Sequence, residues 1–242
     1  MSALSALAPQ RLLALFRADA ISVAREPVLF VNLFIGLILP ILLAAFGDQI
    51  DAYAGQSLGI TGFSAYAVPF ALITPAILIG WVTGMLLLED RDDGPLLALE
   101  VTAIGKGGFL LYRTFVLMLI ASAATLFTLT LLLPDQPGLY FPLVLLISLE
   151  SVFISFALVA LAGNKVEGMA LSKILNMLAL VPLLALLATP WRYAAGIIPS
   201  FWIGEILLRA DGHLSGLTFL IALVVHIASL VFLFRLVTRR LG

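Results

Sequence analysis

The chain has 242 residues, 62% of them apolar and only 11% charged, with a mean hydropathy of +1.17 and a formal net charge of −1. An ordinary globular domain is about 45–50% apolar and about 25% charged, so a soluble fold of this length has too little interior for the excess, which must face lipid. The small net charge gives no general pull toward nucleic acid, and the absence of cysteine excludes a disulfide framework, a thiol nucleophile and a zinc–thiolate site.

The N-terminus lacks the pattern of a cleavable signal peptide. Its first apolar cluster, Leu12 to Phe16, is short and lies between Arg11 and Arg17. Insertion through the chain's own spans is therefore expected. Residues 10–26 wind as an amphipathic helix at about 100° per residue. Arg11, Asp19, Ser22, Arg25 and Glu26 gather on one side and Leu12, Leu13, Phe16, Ala20 and Val23 on the other, while Leu15 and Arg17 break the pattern. Such a helix is expected in the headgroup plane, and Pro27 suits a change of direction into the first span.

A hydrocarbon core of about 30 Å takes about 20 helical residues. Six continuous apolar stretches are long enough: 28–46, 66–88, 108–133, 141–162, 173–189 and 217–237. Continuous runs exclude the short alternating segments of an outer-membrane barrel. The expected fold is one all-α integral membrane domain over residues 1–242, with six transmembrane helices after the interfacial helix.

Span two carries Gly80-Trp81-Val82-Thr83-Gly84, a small face that lets another helix come close, either within the subunit or between copies. Pro69 and Pro75 in that span, and Pro182 in span five, predict kinks. Residues 89–107 are expected to form a loop. It opens with the charge run Glu89, Asp90, Arg91, Asp92, Asp93, turns at Gly94-Pro95, continues as a short apolar helix through Leu96, Leu97, Leu99 and Val101, and leaves through the Gly-rich stretch around Lys106. The segment 191–216 is apolar in part, too short to span and interrupted by Pro199. A helix that dips in and turns back, or lies at the interface, is expected there.

Lys and Arg set orientation, because positive loops stay cytoplasmic. With the N-terminus inside, Arg11, Arg17, Arg25, Arg91, Lys106, Arg113, Lys165, Lys173, Arg235, Arg239 and Arg240 fall inside, and only Arg192 and Arg209 outside. Both termini are therefore expected in the cytoplasm of a cell with the chain in its plasma (bacterial inner) membrane. Outside loops would carry Asp48, Asp51, Asp135 and Asp211, with Tyr53, Tyr140, Trp191, Tyr193 and Trp202 as an interfacial aromatic belt.

Catalytic signatures are missing. Gly105-Lys106 has Glu100 where the leading glycine of a phosphate-binding loop stands, and Gly107 where its Ser or Thr follows. Neither a His-Glu-x-x-His nor a Gly-x-Ser-x-Gly motif occurs, and two histidines do not make a multi-histidine metal site. No catalytic residue, metal or cofactor is expected in this chain. Ionisable groups at membrane depth are costly and usually face the bundle interior. Glu150 lies near the centre of span four and His226 near the centre of span six. They are either a hydrogen-bonded structural feature or candidates to line a transport pathway.

The order of these features resembles the permease subunits of type-2 ATP-binding-cassette exporters, which have an amphipathic helix before span one, six spans, and a first cytoplasmic loop with an acidic opening and a basic close. The residues carrying the resemblance are Glu89-Asp90-Arg91-Asp92-Asp93-Gly94-Pro95-Leu96 and Lys106, with Pro95 where Thr is usual. The second cytoplasmic turn, expected over Asn164 to Lys173, resembles a segment of the drug-export branch, and Ile198-Pro199-Ser200-Phe201-Trp202 fits the family's extracellular helices. The resemblance implies a half-pathway that pairs with a second permease, identical or paralogous, above two separate ATPase subunits that hold ATP and magnesium. It implies that the interfacial helix (Arg11, Arg17, Arg25, Glu26) and the loop from Glu89 to Lys106 carry ATP-driven closure into the spans. Gly94 would give the turn, and Leu96, Leu97 and Leu99 the apolar ridge.

Three functions are therefore open: a non-catalytic exporter permease for a lipophilic or drug-like substrate, a proton-coupled secondary transporter using Glu150 and His226, and a membrane scaffold. Proton coupling is expected with more mid-membrane ionisable groups and inverted repeats. A scaffold needs neither kinked spans nor an apolar coupling ridge. The permease is the expected function.

Overall fold

The computed structural model describes residues 9–92, 105–209 and 216–241. Helix α1 (Pro9–Arg25) precedes the six apolar helices: α2 (Pro27–Leu58), α3 (Phe63–Asp92), α4 (Gly105–Leu132), α5 (Tyr140–Leu161), α6 (Lys165–Asn176, continued as a 3-10 helix over Met177–Leu186) and α8 (Gly216–Leu241). Between α6 and α8 come a 3-10 turn (Pro190–Ile197) and the short α7 (Pro199–Arg209). Helices satisfy their own backbone, the condition for crossing lipid.

Packing separates the helices into two layers. Along their apolar windows α3 and α5 are 83% and 78% buried, against 17–28% for the other four spans. The pair α3–α5 is thus the axis, flanked by α2, α4, α6 and α8. The glycines of α3 explain how close that axis is. A Cβ on Gly80 would lie 2.3 Å from the Ser151 carbonyl oxygen, and one on Gly84 would lie 2.9 Å from Leu158 Cδ2. The small face of span two therefore packs within the subunit, against α5.

Several boundaries differ from those read in the sequence. Span one continues to Leu58, so Asp48, Asp51 and Tyr53 sit on helix rather than in a loop. The stretch after Phe46 contains no proline to stop the helix before Gly59, whose φ of +69° is the left-handed conformation that glycine adopts without a Cβ clash. Asp51 then accepts from the Ser64 amide (2.6 Å) and hydroxyl (2.7 Å), capping the start of α3. Glu89 to Asp92 form the last turn of α3, not a loop. Asn164 to Lys173 is the first part of α6, not a turn. Asn164 Oδ1 accepts from the Glu167 amide (2.9 Å), and the Glu167 carboxylate accepts from the Gly163 amide (2.6 Å), a reciprocal N-terminal cap.

Pro182 lies where α6 has tightened into a 3-10 helix, and its carbonyl oxygen would sit 2.0 Å from a Cβ on Gly204 of α7. Pro199 starts α7 instead of interrupting it, at the position where a missing amide hydrogen costs nothing. The segment 191–209 is thereby folded against the 3-10 half of span five. A buried Arg192–Glu205 ion pair (2.7 Å) fastens it, and burial of Phe201 and Ile203 anchors it.

Helix α1 presents a different face from the one periodicity suggests. Leu15 and Val23 pack on the core and Asp19 and Glu26 are half-buried beside them, a stripe at helical spacing, while Leu13, Phe16 and Ile21 are exposed. Leu15, which interrupted the apolar side, is a contact residue. Asp19, placed on the polar side, points inward because a cation awaits it.

Candidate functional site

One end of the bundle gathers the start of α2, the end of α3, the start of α4, the end of α5, the start of α6 and the end of α8. The last turn of α3 is its hub. Four successive residues leave a helix about 100° apart, and here they reach three neighbouring helices. Glu89 Oε2 accepts from Lys165 Nζ of α6 (3.2 Å). Asp90 Oδ2 accepts from Arg113 Nη2 of α4 (2.6 Å). Arg91 donates to the carbonyls of Ala162 (3.2 Å) and Gly163 (2.9 Å) at the end of α5. Asp92 Oδ2 accepts from the Lys165 amide at the start of α6 (2.9 Å).

The chemistry of each link is that of a helix end. Arg91 and Arg240, whose Nη1 donates to the Ala162 carbonyl (3.1 Å), place two cations on the unsatisfied carbonyls of α5. Cations favour that negative end. Asp92 places an anion on an orphan amide at the positive end of α6.

Two further links tie α1 to the hub. Arg113 Nη2 donates to Asp19 Oδ1 (2.8 Å) as well as to Asp90, and Tyr112 Oη donates to Asp19 Oδ2 (3.1 Å). The Arg113 guanidinium also lies over the Phe109 ring, 4.9 Å from its centroid. Arg113 is 6% exposed, with Asp19 and Asp90 about one-fifth exposed. Burial pushes the Asp19 carboxyl above its ordinary value, opposed by Arg113 and Tyr112. The second link is from Lys165 Nζ to Glu26 at the junction of α1 and α2. These groups are about one-third exposed, so that bridge is weak. The Arg113 link is the strong one.

Of the residues singled out in the sequence, Glu26, Glu89, Asp90, Arg91 and Asp92 therefore meet at one end of the bundle. Arg17 and Arg25 are exposed on α1, Arg11 is in the first part of α1, and Lys106 is in the first turn of α4. Asp93, Gly94, Leu96 and Leu97 lie outside the described residues. Asp19, Tyr112, Arg113 and Lys165 were missed as site residues. A cation inside the first turns of a span, as Arg113 is, was the available signal, because it must find an anion or snorkel.

Glu150 and His226 form a separate centre. Both are fully buried, with His226 Nε2 3.5 Å from Glu150 Oε2. His226 Nδ1 lies 2.8 Å from the Ala222 carbonyl, which only accepts, so Nδ1 carries a proton. Nε2 faces the Glu150 carboxyl at 3.5 Å, and neither Nε2 nor the two carboxyl oxygens has a closer hydrogen-bond partner among the described residues. Glu150→Gln keeps the shape and offers an amide to Nε2, so its unfolding midpoint in detergent is expected to match the parent. Glu150→Leu replaces the carboxyl facing Nε2 with an apolar group and is expected to cost about 1–3 kcal/mol. Adding His226→Leu to Glu150→Leu should recover most of that loss. A stable Glu150→Leu single variant would show that the two groups do not support each other.

Among the described residues no cluster of acidic or histidine side chains is arranged to hold a metal ion. Comparison with known proteins bears on what this polar hub serves. A family model described as "Fluoroquinolones export permease protein Rv2686c-like" matches residues 19–234. Two curated relatives from Mycobacterium tuberculosis are similar: fluoroquinolones export permease protein Rv2686c of strain H37Rv and protein MT2760 of strain CDC 1551 / Oshkosh. Each is 29% identical over 223 residues, which is 88% of this chain and 88% of the relative. No solved structure matches the chain significantly.

Proposed function

The chain belongs to the Rv2686c-like family of fluoroquinolone export permeases, and on that premise we propose that it is the membrane subunit of an ATP-driven exporter of the type-2 ATP-binding-cassette kind. In this reading ATP and magnesium stay on a separate ATPase partner, and a second permease, identical or paralogous, completes the pathway. The substrate is a lipophilic or drug-like molecule, the class named for the relatives. The hub end is cytoplasmic, which puts the cationic residues 235–240 and the Lys165 turn on the positive-inside face.

One observation carries the coupling assignment. Glu89, Asp90, Arg91 and Asp92 attach the end of α3 to α4, α5 and α6, and Arg113 extends that attachment to α1. Residues 93–104 follow immediately in the chain. A push on that segment is delivered to the axis helix α3 and, through rigid polar links, to its neighbours together. Charge-assisted bonds at partly buried helix ends transmit such a push better than an apolar slip plane.

The test is capture. Affinity purification of the tagged permease from its native membrane is expected to retain an ATPase subunit, and Leu96→Asp with Leu97→Asp to abolish that retention while leaving the permease folded. Undiminished capture removes the coupling-segment assignment. A second reading, proton-coupled export through Glu150 and His226, has their 3.5 Å approach in its favour. It requires export to persist without the ATPase and to fail in Glu150→Gln.

A further inference from the structure

We infer that the cavity beneath α1 is a binding site for a compact aromatic zwitterion, a ring system bearing both a carboxylate and a basic amine. The cavity holds about 240 Å³ between α1, α2, α3 and α4. That is just below the range of pockets for drug-sized ligands, about 300–1,000 Å³, so one compact guest fits and a diacyl lipid does not.

Its walls are apolar, and on the outer side they are aromatic. Phe16, Phe30 and Phe34 line it while remaining 47%, 47% and 57% exposed, and the Phe30 and Phe34 rings meet at a tilt of 53° with centroids 5.1 Å apart. The opening therefore lies toward the membrane face of the bundle, where an amphiphile partitioned into lipid meets ring faces first.

Charge sits at the inner wall, where Arg113 and Asp19 both line the cavity. Arg113 spends one nitrogen, Nη2, on Asp19 and Asp90, while its buried Nε and Nη1 have no hydrogen-bond partner. A guanidinium offers five donors, and buried donors left unmet are expensive. An acceptor presented from the cavity thus supplies what no group among the described residues supplies. Asp19 stands next to it. A purely anionic guest would meet Arg113 but be repelled by Asp19, with Asp90 behind. A purely cationic guest would meet Asp19 but be repelled by Arg113. A guest with both signs has a partner for each, and its rings fill the aromatic mouth.

This deepens the export reading, on which it rests for the guest's role, but binding itself needs no motor. The experiment uses the purified chain in detergent, without an ATPase, and three fluorescent probes: ciprofloxacin, its ethyl ester, which keeps only the amine charge, and its N-acetyl derivative, which keeps only the carboxylate. Ciprofloxacin is expected to bind at least tenfold more tightly than either derivative. Ala24→Trp from α1 and Thr83→Leu from α3 each fill the cavity without touching the Arg113 links, and each is expected to weaken ciprofloxacin at least tenfold with an unchanged unfolding midpoint. Equal binding of all three probes, or undiminished binding by both filled variants, overturns the site and leaves the cavity a lipid contact. ATPase capture is scored separately. Its loss with probe binding intact counts against the motor, and probe loss with capture intact counts against this site alone.

Discussion

Gly80→Ala is expected to lower the unfolding midpoint of the protein in detergent by about 5–10 °C, the larger of two effects along one helix face. The added Cβ would stand 2.3 Å from the Ser151 carbonyl oxygen and 3.1 Å from its carbonyl carbon. Backbone is not the end of a flexible side chain, so α3 and α5 must separate, and they are the buried axis of the bundle. Overpacking a close interface costs about 1–3 kcal/mol, occasionally more. Alanine gives back about 1 kcal/mol of helix propensity relative to glycine. Because the whole interface moves, the clash here lies above that usual range, at about 3–4 kcal/mol, leaving about 2–3 kcal/mol net. At about 2–4 °C per kcal/mol for a chain of this size, that is the stated shift.

Gly84→Ala is the control one turn away. Its closest contact is the Leu158 Cδ2 methyl at 2.9 Å, a group able to rotate. The propensity gain then offsets much of the clash, since the Leu158 Cβ and Ser155 carbonyl contacts at 3.2 Å ask for only a small shift. Ile154→Ala should not rescue Gly80→Ala, since the obstacle is the Ser151 carbonyl. Unfolding followed by tryptophan fluorescence reports the comparison, Trp81 being buried on the same helix. A Gly80→Ala midpoint equal to the parent would place α3 and α5 farther apart than described.

The contrast between these glycines shows what a single sequence makes legible. Their spacing signalled a close helix approach but not which helix approaches, because any small face serves a neighbour or a second copy equally well. The six spans were legible for a simple reason: lipid demands long apolar runs, and composition records them directly. Span ends were not. Glu89 to Asp92 read as a solvated loop because charges at the end of an apolar run normally are. They stay helical because Lys165, Arg113 and the α5 carbonyls, distant in sequence, neutralise them.

The same reason explains α1. Hydrophobic periodicity put Asp19 and Leu15 on the wrong sides, since the surface receiving α1 is itself mixed: an apolar core patch beside a buried guanidinium. The depths of Glu150 and His226 followed from counting residues along their spans. Their 3.5 Å separation depends on the rotation of α5 against α8, which no local pattern encodes.

Arg113→Met is expected to undock α1 and to destabilise the protein by about 2–4 kcal/mol at neutral pH. The arginine is 6% exposed and is the cation shared by Asp19 and Asp90. Removing one member of a buried charged cluster costs about 3–5 kcal/mol, because the carboxylates stay partly buried and lose the arginine charge between them. Here the carboxylates keep about one-fifth exposure, which moves the figure toward the lower half of that range. The defect should depend on pH with a definite sign. Burial already raises the Asp19 carboxyl above its ordinary value of 3.8, and without Arg113 the opposing attraction is gone. The folded variant therefore binds a proton more readily than its unfolded chain, and the ionised form carries the penalty. Stability of Arg113→Met should fall as pH rises through the window above 3.8 and recover on acidification, narrowing the gap to the parent. Asp19→Asn together with Asp90→Asn in the Arg113→Met background should remove both the loss and its pH dependence. Because the chain has no cysteine, a single Val23→Cys reports α1 docking directly. Labelling by a maleimide at that half-buried position should be slow in the parent and several-fold faster in Arg113→Met. Equal labelling rates would mean that Leu15 and Val23 hold α1 in place without the ion pair, and the hub would then end at α3.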